Sequence, residues 1–461
     1  LGDHVKGLIN SANDENGDPS LTNGLIEVNS DKKMQIPESG IVFIANLNEV
    51  DLEELVDLIP DNESEISDID SSQSKSMNIE AVLNIKKLNA YGYIFNNFKF
   101  KLRPEDSGII VQLNGEGARG NILWDPEKNL IKARFEELHL LGSDESIEEW
   151  DDAFETEDPI IKNPPKIDVK IQEFLLKSKY FDNNLNGNLT FQASKAESKW
   201  FIDLFKFLNP DYALKVTGIW HDESPTPDTE IDFDWKITDL DKTLEEFNLD
   251  NLLTGGTGQL NGKLSWPQSP WKFDKNKASG SISINIDKGV ILEAQPGAMG
   301  RLFGLLSLQS LPSRLTLDFS DIFADGFAFD SIDGLAELEN SNIHSDNFEI
   351  KGPAADIFIK GDVNYKDETQ DLVVTITPNV TDTMSVAALA GGPIVGAAAF
   401  VLQKLLNDPL NEVLTDQYRL TGSWADPQET PIDRDTLKNV GEGITDQIDE
   451  QIINPTQELF K

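Results

Sequence analysis

Ser281-Ile-Ser-Ile-Asn-Ile-Asp287 is the stretch on which the fold turns. Ile282, Ile284 and Ile286 alternate with serine, asparagine and aspartate. In an extended chain successive side chains point to opposite faces, so this segment has one apolar side and one wet side. The same period of two recurs outward in both directions, at Phe98-Phe100-Leu102, Ile109-Val111-Leu113, Ile167-Val169-Ile171, Leu315-Leu317-Phe319, Ile357-Ile359 and Leu372-Val374-Ile376. Between these runs stand Asn114-Gly115, Asn186-Gly187, Asn261-Gly262, Lys288-Gly289 and Asp333-Gly334, which read as hairpin turns. The expected fold is mainly β: a long, curved antiparallel sheet forming an open hydrophobic groove, with a few short helices.

Helical patterning is confined to Asp241–Phe247, Gly297–Leu308, a segment over 384–408 and the tail, where Val440, Ile444, Ile448 and Ile452 step by four along one face. A glycine followed closely by tryptophan recurs at Gly120/Trp124, Gly218/Trp220, Gly262/Trp266 and Gly422/Trp424, and reads as a strand-end device. Two acidic stretches, Asp61–Asp70 and Asp144–Asp158, carry no base and read as solvated linkers. Neither shows the alternating oxygen ligands and central glycine of a calcium loop. The expected organisation is a leading segment (1–44), a β-groove segment (45–143), an acidic linker (144–163), a second β-groove segment (164–430) and a helical tail (431–461).

Composition excludes several classes of function. With 81 acidic against 39 basic residues the net charge is −42, so the chain lacks the basic surface that nucleic acid requires. There is no cysteine, which removes disulfides, thiolate metal sites and cysteine nucleophiles. Four scattered histidines (His4, His139, His221, His344) offer little for a metal centre or a Ser-His-Asp arrangement. Gly115-Glu-Gly-Ala-Arg-Gly120 matches a dinucleotide-binding pattern by letter, but Asn121-Ile-Leu-Trp follows as a strand where a helix N-terminus is needed. No catalytic residues, metal or cofactor are expected, and the protein is not expected to be an enzyme.

A sheet that is apolar on one face must cover that face or hold something apolar on it. With so little helix available, a curled sheet would leave a trough suited to acyl chains, their polar headgroups in water. The expected lining is Ile282, Ile284, Ile286, Leu315, Leu317, Phe319, Ile357, Ile359, Val374 and Ile376. From Thr383 to Gln403 no residue is charged, and glycine and proline interrupt the run at Gly391-Gly-Pro393. Ile394, Val395, Phe400, Val401 and Leu402 are expected to cap the groove or touch a membrane.

Several motifs carry a family resemblance. Gly297-Ala-Met-Gly-Arg-Leu-Phe-Gly-Leu-Leu306, Lys351-Gly-Pro-Ala-Ala-Asp356, Gly391-Gly-Pro-Ile-Val-Gly-Ala-Ala398, Gln403-Lys-Leu-Leu-Asn-Asp-Pro-Leu410 and Tyr418-Arg-Leu-Thr-Gly-Ser-Trp424 resemble, in this order, the C-terminal portion of the AsmA-like YhdP family. The likeness is most specific over 280–427, looser over 45–280, and not read in the first 40 residues or beyond 430. It implies a Gram-negative envelope protein reaching through the periplasm from an inner-membrane anchor upstream. Its partners would be phospholipid, the outer membrane at the C-terminal end, and envelope proteins. Its function would be passive conduction of phospholipid along the groove; the alternative is a structural or assembly role without lipid conduction.

Overall fold

The computed structural model describes residues 4–13, 19–30, 36–52, 79–90, 93–105, 107–141, 164–177, 185–247, 249, 252–292, 327–353, 355–379 and 416–432. The expectations for Gly297–Leu308, Leu315, Leu317, Phe319, the 384–408 segment with Ile394, Val395, Phe400, Val401 and Leu402, and the C-terminal tail lie outside these residues. The chain divides into two compact units. The first is Leu1–Trp235 with Glu245–Asn248 and Pro267–Phe273; the second is Lys236–Leu244 with Leu249–Trp266 and Asp274–Lys461.

Among the described residues the fold is mainly β, built of open, unclosed sheet with almost no helix. The first unit runs through β1 (Val5–Asn13), β2 (Pro19–Val28), β3 (Gly40–Asp51), β4 (Ile79–Ala90), β5 (Tyr93–Glu105), β6 (Gly108–Gly115), β7 (Ala118–Asp125), β8 (Leu130–Leu140), β9 (Lys166–Leu176), β10 (Leu185–Ala196), β11 (Lys199–Leu208), β12 (Tyr212–Trp220) and most of β13 (Asp228–Ile237). A short helix α1 (Leu240–Glu246) follows, where the sequence places one. Asp239 caps it, its carboxylate accepting the Lys242 amide at 3.1 Å. The second unit contains β14 (Leu253–Thr254), β15 (Thr257–Pro267), β16 (Ser279–Ile291), β17 (Phe327–Glu339), β18 (Asn342–Lys351), β19 (Ala355–Asn364), β20 (Thr369–Pro378), β21 (Asp416–Ser423) and β22 (Asp426–Pro431).

Most neighbours pair antiparallel, but β2/β3, β3/β4 and β8/β9 are parallel. A parallel partner requires the chain to return to the end at which the first strand began, which no tight hairpin allows. Residues 52–78 and 141–165, which contain the two acidic stretches, are the connections that make two of these returns. Their length follows from the topology.

The glycine pairs expected as turns lie inside strands. Asn114-Gly115 ends β6, and Asn186-Gly187, Asn261-Gly262, Lys288-Gly289 and Asp333-Gly334 sit within β10, β15, β16 and β17. What selects glycine there is close approach by a neighbouring strand. A Cβ on Gly334 would stand 2.7 Å from the Phe348 ring, and one on Gly289 would stand 2.7 Å from the Phe329 ring. A ring laid over a cross-strand glycine fills the gap left by the missing side chain and lets the strands bend together. The hairpins turn instead on Glu197, Asn340-Ser341 and Glu368, all at positive φ.

Candidate functional site

The strand register defines which face each residue occupies. In the first unit Leu83, Phe100, Leu113, Gly120, Phe135, Ile171, Leu189, Phe207 and Leu214 stand opposite one another from β4 to β12. Two residues further along runs a second row: Ala81, Leu102, Val111, Ile122, Ala133, Val169, Phe191, Phe205 and Val216. Both rows are wholly apolar. One residue away, on the opposite face, lie Val82, Lys101, Gln112, Asn121, Arg134, Lys170, Thr190, Lys206 and Lys215. Nine strands at about 4.8 Å each give an apolar face of roughly 40 Å.

That face is not uniformly dry. Ile85, Leu88, Tyr93, Phe95, Phe98 and Ala118 form a buried cluster with Leu138, Leu140 and Leu176 packed against it. The Phe98 and Phe100 rings meet tilted at 51°, with 4.7 Å between ring centres. Leu102, Val111, Ile122, Val169, Phe191, Phe205 and Val216, by contrast, are only half-buried, and Trp124 is 46% exposed. A closed core would hide such side chains completely.

In the second unit the register joins Ile286, Ile332, Ile350, Ile357 and Ile376 in one row. Phe348, Ile359, Val374 and Tyr418 form the next. Ile282, Ile284, Ile286, Ile357, Ile359, Val374 and Ile376, named from sequence as lining residues, therefore share one face. Their accessibility differs: Ile282 and Ile284 are half-buried, whereas Ile357 and Val374 keep only 2% and 3% of their surface exposed. Alternation alone placed these residues on a common face but could not show which of them remain open. The half-buried row through Val111, Val169, Phe191 and Val216 was visible as alternation at Ile109-Val111-Leu113 and Ile167-Val169-Ile171, and was not singled out.

Polar features are secondary. The dinucleotide-like glycines form a hairpin, with Glu116-Gly117 turning β6 into β7. The Gly/Trp pairs do mark strand ends: Trp220 closes β12, Trp266 is next to last in β15, and Trp424 follows β21, each buried. In the first unit Tyr212, Trp235 and Phe247 cluster edge to face and tilted, with ring centres 5.2–5.9 Å apart. Burial raises the pKa of Glu246 beside them, although Asn209 donates to that carboxylate at 3.2 Å. Burial likewise pushes the Tyr212 phenol well above its ordinary value, so it stays protonated. Among the described residues no helix is long and apolar enough to cross a membrane.

Comparison with known proteins bears on this geometry. The family described as YhdP protein matches residues 1–429, including the first 40, where the sequence offered no usable likeness. The intermembrane phospholipid transporter YhdP of Escherichia coli (strain K12) is 31% identical over 226 residues. That alignment covers 49% of this chain and 18% of the relative, so the chain spans well under two thirds of that protein. No solved structure matches. With the family match running over nearly its whole length, the chain belongs to the YhdP family.

Proposed function

We propose that this chain carries phospholipid between the two membranes of a Gram-negative envelope, acyl chains lying against the apolar face of the sheet and headgroups facing water. The observation that carries the reading is the pair of uninterrupted apolar rows from β4 to β12, half-buried over much of their length. An apolar face of this extent is costly to leave in water and is characteristic of a surface that binds something apolar. The similar transporter, named for intermembrane phospholipid transport, supports phospholipid as the cargo. Conduction of this kind needs no catalytic group; it needs only continuity of apolar surface.

In this reading the protein works in the periplasm, with an anchor in the inner membrane upstream and residues 384–408 towards the outer membrane, capping the groove or entering the bilayer edge. Each unit taken by itself offers a lining: the half-buried row in the first, and in the second the face that carries Ile282, Ile284, Ile286, Ile357, Ile359, Val374 and Ile376. The test is a charge placed on each face of one strand in the full-length protein. Val169→Asp is expected to abolish phospholipid transfer while Lys170→Asp, one residue away on the wet face, leaves it near wild type. Equal effects from the two changes, with both proteins folded, would sink the proposal.

One observation favours a second reading. Val5, Leu8 and Ile9 of β1 are 67%, 48% and 51% exposed, and an exposed apolar strand at a sheet edge is a template for another chain. An assembly role would place the essential contact there. Crosslinks from Leu8 to protein, together with full lipid transfer by Val169→Asp, would favour it.

A further inference from the structure

Among the described residues the fold gathers a metal-ligating cluster that the linear sequence disperses. β8 and β9 run parallel with Glu137 opposite Glu173 and His139 opposite Leu175. Glu137 and His139 are two apart on β8, so they share a face, and the side chain of Glu173 enters that face from the next strand. One potential ligand atom from each of the three lies within 4.8 Å of the others. His139 Nε2 is 3.1 Å from Glu173 Oε1.

We propose that Glu137, His139 and Glu173 bind a divalent first-row transition ion, of which zinc is the natural probe. The donor set decides the class. A neutral imidazole with two carboxylates suits zinc and its neighbours, whereas calcium and magnesium take oxygen alone. The surroundings hold two of the ligands in place. The His139 amide donates to the Gly117 carbonyl at 2.6 Å, fixing the strand beneath the ring. Arg119 binds Glu137 Oε2 at 3.2 Å and Glu136 at 2.9 Å, an outer contact of the kind that orients ligating carboxylates. Against one arginine stand three carboxylates, so the net local charge favours a cation. Glu137 and His139 are 23% and 22% exposed, and Glu173 is 70% exposed, leaving room for water to complete the coordination.

The position gives the ion a use. A hairpin closes its two strands covalently at one end, but β8 and β9 are joined only through residues 141–165. An ion bound across them would tie the parallel pair on its polar face, opposite the apolar rows. This inference does not rest on lipid transport.

The test is zinc titration of chelator-treated protein by calorimetry, with excess magnesium present to occupy sites made of carboxylates alone. One saturable site is expected, accompanied by a rise in melting temperature. His139→Ala and the near-isosteric Glu173→Gln should each weaken it at least about tenfold, as loss of a ligand costs no less than loss of its outer partner. Both should melt like the metal-free wild type, whereas His221→Ala should bind zinc normally. Absence of a saturable zinc site under magnesium, or a site indifferent to His139→Ala and Glu173→Gln, would overturn the assignment.

Discussion

Glu246 shows how a single side chain trades stability for charge. Burial is the largest influence on it and raises its pKa above the ordinary carboxylate value, offset in part by the Asn209 hydrogen bond. A folded-state value above the unfolded one means that the folded chain holds the proton more tightly. Stability therefore falls as pH rises through that window and is lower at neutral pH. Glu246→Gln should raise the melting temperature at neutral pH and leave it unchanged at pH below the usual carboxylate range; an equal change at both would refute the burial argument. His344 shifts in the same direction for a different reason, because here the charged form is the one favoured. Its ring donates hydrogen bonds to Asp362 (3.0 Å) and then to Asp346, which raise its pKa. The stability it contributes is complete below the unfolded histidine value and is lost as pH rises through the folded one. His344→Gln should thus flatten the pH dependence of melting from the ordinary histidine value upward, through neutral pH. Ile350, with 0% of its surface exposed, should lose about 2–5 kcal/mol on conversion to alanine, measured by denaturant unfolding.

At the scale of the element, the strands from β4 onward were legible, whereas β1 and β2, within the leading segment 1–44, and the connections were not. Period-two alternation located the strands because only one face of each is buried, and helical spacing over Asp241–Phe247 placed α1. The glycines misled because two different pressures select glycine. A turn needs positive φ, whereas Gly334 and Gly289 are needed because the rings of Phe348 and Phe329 occupy the space of a side chain. Sequence shows the residue but not the neighbour. Gly334→Ala should therefore cost about 1–3 kcal/mol through overpacking. Gly7→Ala, where the nearest atom to an added Cβ is 3.9 Å away, should be neutral or slightly stabilising. Parallel pairing at β3/β4 and β8/β9 was equally hidden: an acidic stretch reads as a linker whether it joins antiparallel or parallel neighbours. The Glu137–His139–Glu173 cluster follows from that pairing, which is why four dispersed histidines gave no hint of it.

For the molecule as a whole, the charge of −42 coexists with a wide apolar face because the two are separated by one residue along each strand. The sequence conveyed that separation but not its openness. Residues singled out in the second unit, such as Ile357 and Val374, are buried, while the half-exposed row through Val111, Val169, Phe191 and Val216 belongs to the first. The central claim is that phospholipid travels on this face, and the most direct measurement is site-specific photocrosslinking in the intact protein within cells. A photoreactive residue at Val169, Phe191 or Val216 should yield phospholipid adducts, and one at Lys170, Thr190 or Lys215 on the opposite row should not. Adducts of equal yield from both rows, or none from the apolar one, would contradict it.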